Sequence, residues 1–133
     1  MINGGSVARI EVSLERRPLS ARAARDAVGR LLGARASVSF VRDALLLTSE
    51  LVSNAVTHGG GSCELRASFT SPPDHLRVDV IDGSPSIPIV ASEVSRRARV
   101  GGLGLVLVSE VASDWGVAPV AGGGKSVWFE IGS

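Results

Sequence analysis

Glu50 and Asn54 stand four residues apart in the stretch Glu50-Leu51-Val52-Ser53-Asn54-Ala55-Val56-Thr57-His58, which closes a long apolar run beginning near Val38. On an α-helix that spacing stacks two side chains one turn apart on one face. A carboxylate and an amide oxygen placed in this way can line a cleft and offer hard oxygen ligands to a magnesium-type cation. The same spacing is common on solvated helix faces, so the pair alone decides nothing.

Three further patterns carry chemistry. Gly101-Gly102-Leu103-Gly104 precedes an apolar stretch and reads as a glycine-rich entry to a helix. Free backbone N–H groups and the positive end of the helix dipole make such an entry an anion site, although glycines there also serve close packing. It is not a dinucleotide fingerprint, because Leu107 stands at the third glycine position and no parallel βαβ unit precedes it. Asp82-Gly83 ends the apolar run Val78-Asp79-Val80-Ile81. This is either a simple turn or a carboxylate aimed into a cleft, where it would accept a hydrogen bond from an exocyclic amine. Gly124-Lys125-Ser126 looks like the end of a P-loop, but Pro119 occupies the required earlier glycine and Val127 to Ile131 reads as strand rather than helix.

The elements that must position these residues follow from periodicity. Val7 to Glu15 alternates as a half-buried strand, and Pro18 stops it. Ser20 is placed to cap a helix through Leu32, with Ala24, Ala27, Val28, Leu31 and Leu32 as its apolar face and Gly33 as its stop. A central helix spans about Ser37 to Thr57, its core stripe Leu47, Leu51 and Ala55. Cys63 to Thr70 and Leu76 to Ile81 form a hairpin around Pro72-Pro73-Asp74. From Asp82 to Val100 the pattern breaks into a long loop bearing Arg96, Arg97 and Arg99; loops of that length in compact domains usually serve function. A helix after Gly104 and two strands, about Trp115 to Val120 and Ser126 to Ile131, complete the order β-α-α-β-β-loop-α-β-β.

Strands arrive in adjacent pairs without crossover helices. The expected architecture is therefore an α/β (α+β) two-layer sandwich, with a mixed, mostly antiparallel sheet covered on one face by three helices. The 133 residues and 13.7 kDa fit one domain, 1–133, without linker or repeat. A net charge of +1 provides no strong field to steer nucleic acid or anionic membrane towards it. The single cysteine, Cys63, excludes an internal disulfide and a cysteine-rich zinc site. No run of 18 apolar residues and no signal-peptide pattern are present, so the expectation is a cytoplasmic protein without membrane attachment. Lys125 is the only lysine among the basic residues, a bias that GC-rich coding explains as well as chemistry does. His58 at a helix end and His75 in a turn read as structural or surface residues.

Taken together, Glu50 and Asn54 on a helix, a strand ending in Asp82-Gly83, a loop, Gly102-Leu103-Gly104-Leu105 opening a helix, and Gly124-Lys125-Ser126 entering a strand occur in a specific order. This arrangement resembles the GHKL (Bergerat-fold) ATPase superfamily, which includes gyrase-type, MutL-type and histidine-kinase ATP-binding domains. The short single-domain form looks most like the anti-sigma-factor serine kinases of the RsbW and SpoIIAB type. The resemblance covers nearly the whole chain, and Ser49 to His58 is its most specific part.

The resemblance implies ATP and Mg2+ as cofactors and a role for each matching residue. Asn54 would bind the magnesium that bridges the phosphates, and Glu50 would be the catalytic carboxylate. Asp82, with Gly83, would read the adenine amino group. Gly102, Leu103, Gly104 and Leu105 would form the phosphate-binding turn after a lid, Ser84 to Val100, whose arginines either touch phosphate or form a solvated basic turn. Ser126 would lie near adenine, acting through water. A second glycine expected after Asp82-Gly83 is replaced within Ser84-Pro85-Ser86, which bears on the fine geometry of the adenine pocket. The implied activity is a serine/threonine protein kinase of anti-sigma type, with a sigma factor and an anti-sigma antagonist as partners and a homodimer as the assembly. The alternative is a non-catalytic ATP-binding switch that captures a partner. A histidine-kinase catalytic domain is disfavoured, since no helical hairpin bearing a phospho-acceptor histidine is present.

Overall fold

A computed structural model describes residues 6–58, 61–83 and 103–132. Strand β1 (Ser6–Leu14) leads into helices α1 (Leu19–Leu32) and α2 (Val38–His58). The hairpin β2 (Cys63–Ser71) and β3 (His75–Asp82) follows, then α3 (Leu103–Val111), β4 (Asp114–Pro119) and β5 (Lys125–Gly132). The five strands form one sheet in the order β1-β2-β3-β5-β4. All four pairings are antiparallel, so among the described residues no parallel pair makes the sheet mixed. The result is the expected two-layer sandwich, with the described helices on one face.

The period-two segments bury one side because that side meets the helices. Cys63, Leu65, Ala67 and Phe69 of β2 and Leu76, Val78 and Val80 of β3 are all buried. They pack with Phe129 and Ile131 of β5, and with Val28, Leu32, Leu47, Leu51 and Val52 of the helices. Val108 of α3, which packs on α2, is also fully buried in this core.

Helix α2 is set by its caps and by neighbours far away in the chain. Ser37 Oγ accepts the Phe40 backbone N–H at 3.2 Å, satisfying one of the first-turn donors. At the far end Arg16 Nε donates to the Val56 carbonyl at 2.9 Å, serving an acceptor that the helix itself leaves unpaired. Arg25 of α1 donates to Ser49 Oγ at 2.8 Å, one residue before Glu50.

The N-terminus of α1 departs from expectation. Pro18, not Ser20, precedes the helix, and no side chain caps it. Ser20 is inside the first turn and buried, and its hydroxyl donates to the Glu15 carbonyl. Ser20 therefore ties the helix back to the chain leaving β1 instead of accepting a helix N–H. Pro18 suits this position, since its fixed φ is helical and its missing N–H costs nothing in a first turn.

The sheet face turned away from the helices is polar. Arg77 there donates to Asp79 at 2.9 Å and to Glu130 at 3.0 Å, and its guanidinium lies 4.0 Å from the centre of the Trp128 ring. Trp128 lies flat over Gly116, where an added Cβ would come within 2.8 Å of the ring. His75 Nε2 stands 3.3 Å from Glu130 Oε1. No described helix is long and apolar enough to cross a membrane.

Candidate active site

Helical spacing along α2 sends Leu47, Leu51 and Ala55 into the core and leaves Glu50 and Asn54 half-buried on the adjoining face. The helix packs on β3 and β5, adjacent interior strands whose facing ends carry Asp82 and Lys125. Asp82 is the last residue of β3 and is buried, its side chain 2% exposed. Gly83 follows it and is exposed. The carboxylate that alternation expected at a strand end is thus held inside the protein, on the helix side of the sheet.

Its partner is a residue that sequence reasoning passed over. Asp82 and Lys125 are directly paired across β3 and β5, and Lys125 Nζ lies 3.2 Å from each carboxylate oxygen. The Lys125 side chain is 7% exposed, so the salt bridge lies in the protein interior. The one signal for Lys125 was its being the only lysine of the chain. Lys125 and Ser126 open a strand and not a helix, as the rejection of a P-loop required.

Gly124 explains how the strands approach so closely here. A Cβ on it would lie 2.1 Å from the Asp82 carbonyl oxygen and 3.3 Å from Gly83 Cα. Only glycine fits against the end of β3 at this point. Cys63 completes the row, paired with Asp82 from β2 and buried. Burial first, and the Asp82 charge second, push the Cys63 thiol above its ordinary value of 9.0.

Ser126 is not brought to this cluster. It pairs with Ile81, and its hydroxyl donates to Asp79 Oδ2 at 2.9 Å on the polar outer face. The reason is the pleat: with Lys125 directed at Asp82 on the helix side, the next residue must point through the sheet to the other side. Ser126 therefore lies on the sheet face opposite the Asp82 carboxylate.

Leu103, Gly104 and Leu105 form the first turn of α3, so their amide groups have no acceptor within the helix. Gly102, the segment Ser84 to Val100 and its Arg96, Arg97 and Arg99 lie outside the described residues. His58 is the last residue of α2.

The donor set fits a magnesium–nucleotide complex. Glu50 and Asn54 supply hard oxygens one helical turn apart, and no group of three His, Cys, Asp or Glu forms a cage among the described residues. Two such oxygens suit an ion held by one or two side chains and completed by phosphate and water.

An antiparallel sheet with helices on one face, a buried carboxylate ending its middle strand, and a helix opening at Leu103 and Gly104 make up an α/β sandwich. The chain belongs to the histidine kinase-like ATPase domain family, whose model matches residues 14–131. It is therefore an ATP-binding domain of the GHKL superfamily. No curated protein matches the chain.

Proposed function

We propose that this ATP-binding domain is a magnesium-dependent serine/threonine protein kinase of the anti-sigma-factor type. It would phosphorylate an anti-sigma antagonist, bind a sigma factor and act as a homodimer in the cytoplasm. The observation that carries the reading is the half-buried pair Glu50 and Asn54 on α2, the core helix packed on the strand that ends in buried Asp82.

Phosphoryl transfer rests on positioning and charge neutralisation. When bound with ATP, magnesium neutralises charge on the phosphate oxygens. Asn54 holds that ion through its amide oxygen. Glu50, one turn earlier, orients the incoming serine hydroxyl and accepts its proton. The first-turn amides of α3 meet phosphate, with the helix dipole favouring negative charge there. Asp82 accepts a hydrogen bond from the adenine amino group.

Calorimetric titration with ATP, with and without magnesium, on wild type and Asn54→Ala tests the site. The expected result is magnesium-dependent binding that the substitution weakens. Incubation with labelled ATP and an anti-sigma antagonist then tests transfer. Binding without any labelled product would leave a nucleotide-operated switch that captures its partner without chemistry.

A further inference from the structure

We propose that β1 is the dimerisation strand of this protein: its outer edge pairs antiparallel with the same edge of a second copy, across a two-fold axis at Ile10. This rests on the homodimer of the proposed function and deepens it by naming the surface.

The two edges of the sheet are built differently. β4 spans six residues, ends at Pro119 and carries Gly116 beneath the Trp128 ring. Shortness and proline are devices that keep an edge from pairing with another chain. β1 spans nine residues without glycine or proline, and pairs with β2 in unbroken register from Ser6 to Leu14. Among the described residues no strand takes its other side, so alternate N–H and C=O groups there form a template for a further strand.

Beside that edge the helix layer leaves room. Ile10 and Val12 of β1 and Ala27 and Leu31 of α1, together with Glu11 and Arg30, line a depression of about 390 Å³. Ala8, Ile10 and Val12 are partly buried on this side and pack against the core. A strand added in the matching register lays its own apolar side chains along the same face.

The charges on β1 select a second copy as that strand. Elsewhere on the outer face the arginines have partners: Arg66 lies 3.2 Å from Glu64, and Arg77 bonds both Asp79 and Glu130. Arg9 and Glu11 are exposed and form no ion pair among the described residues. A two-fold centred on Ile10 sets Arg9 opposite Glu11 of the second copy, and Glu11 opposite its Arg9. Ile10 then meets its own counterpart on the helix side, and Ala8 meets Val12. Moving the centre to Arg9 or to Glu11 opposes like charges, and a one-residue slip turns the apolar side of the second strand outward. One register answers both charges. It uses each β1 edge once, so assembly closes at two chains.

Sedimentation equilibrium of the full chain over a range of concentrations tests the surface. The wild type should form a dimer that weakens as salt is raised, a readout that needs no variant. Arg9→Glu and Glu11→Arg each create two like-charged pairs and should raise the dimer dissociation constant about tenfold or more. Combining the two restores opposite charges and should return the constant to within about threefold of wild type. Both positions are exposed, and circular dichroism checks that each variant is folded. A dimer that neither salt nor either single variant weakens overturns the inference and leaves a homodimer through another surface. Single variants that weaken the dimer without rescue in the combined variant also overturn it, because charges that do not face each other cannot be exchanged. Assembly beyond two chains is incompatible with the two-fold. A monomer at every concentration overturns the inference and the homodimer reading together, while labelled phosphoryl transfer decides the kinase reading separately.

Discussion

Lys125 and Asp82 are cross-strand neighbours separated by 43 residues, and they bury a salt bridge between the facing ends of β5 and β3. Interior charges of this kind are tolerated only in company. Two groups that sequence patterns treat separately, a strand-ending acid and a glycine-flanked lysine, are one structural unit.

Breaking that unit on one side should be costly. Lys125→Met leaves a carboxylate buried without its cation, with an expected loss of about 3–5 kcal/mol. Asp82→Leu combined with Lys125→Met should recover most of it, because no charge is then stranded. Urea unfolding of the three proteins measures both, and a loss below about 1 kcal/mol in the single variant would show that the pair is not buried as described.

Glu50→Ala separates binding from chemistry. Glu50 is half-buried on α2 and outside the core stripe, so the helix should tolerate the change. Under the kinase reading, ATP affinity changes by less than about threefold, while labelled transfer to the antagonist falls by at least about a hundredfold. Transfer at the wild-type rate would remove Glu50 from the mechanism.

Asp82→Asn replaces an acceptor-only group by one that can also donate. Guanine's oxygen then finds a partner, and the ratio of ATP to GTP affinity should narrow by about tenfold or more. Competition titrations with the two nucleotides give the ratio directly. An unchanged ratio is incompatible with Asp82 as the reader of position 6.

Gly124→Ala places a methyl group into the Asp82 carbonyl, 2.1 Å from the new Cβ. Since that neighbour is backbone, relief requires β3 and β5 to part, at about 1–3 kcal/mol. Nucleotide affinity should fall further than global stability, as the separation occurs at the site. Wild-type affinity in this variant would place the nucleotide elsewhere.

Cys63 provides a pH signature. Its folded-state thiol titrates above the ordinary value of 9.0, because of burial and then the Asp82 charge. The native protein thus holds a proton that the unfolded chain releases. Its stabilising contribution is complete below the unfolded value and is lost as pH rises through the folded one. Cys63→Ala should flatten the decline in stability above about pH 9, measured by unfolding across pH. Alkylation of native Cys63 near pH 8 should be slow, since thiolate is scarce and the sulfur is buried.

Much of the fold was legible because one-sided burial writes itself into period. Cys63, Leu65, Ala67 and Phe69 alternate because only one face of β2 meets the helices, and Leu47, Leu51 and Ala55 recur at helical spacing for the same reason. Of the candidate site, Asp82 could be read as a carboxylate ending an apolar strand. Ser20 could not be read correctly, because local capping rules do not see that its hydroxyl is drawn back to Glu15. Lys125 and Ser126 depended on the register of β3 against β5. No local pattern carries that register, and a shift of one residue exchanges which of the two faces Asp82. Arg16 was invisible as a clasp on α2, since its acceptor, the Val56 carbonyl, is 40 residues further on.

The sheet order has a consequence for the birth of the protein. Because β5 inserts between β3 and β4, Asp82 waits for its cation until the last described strand has been placed. A nascent chain on the ribosome contains the residues of α2 and β3 well before residue 125 is synthesised, yet Asp82 then has no Lys125 to pair with. Closing loops of this length is slow relative to local helix formation. The Asp82–Lys125 pair is therefore completed only in a late step, when β5 enters the sheet.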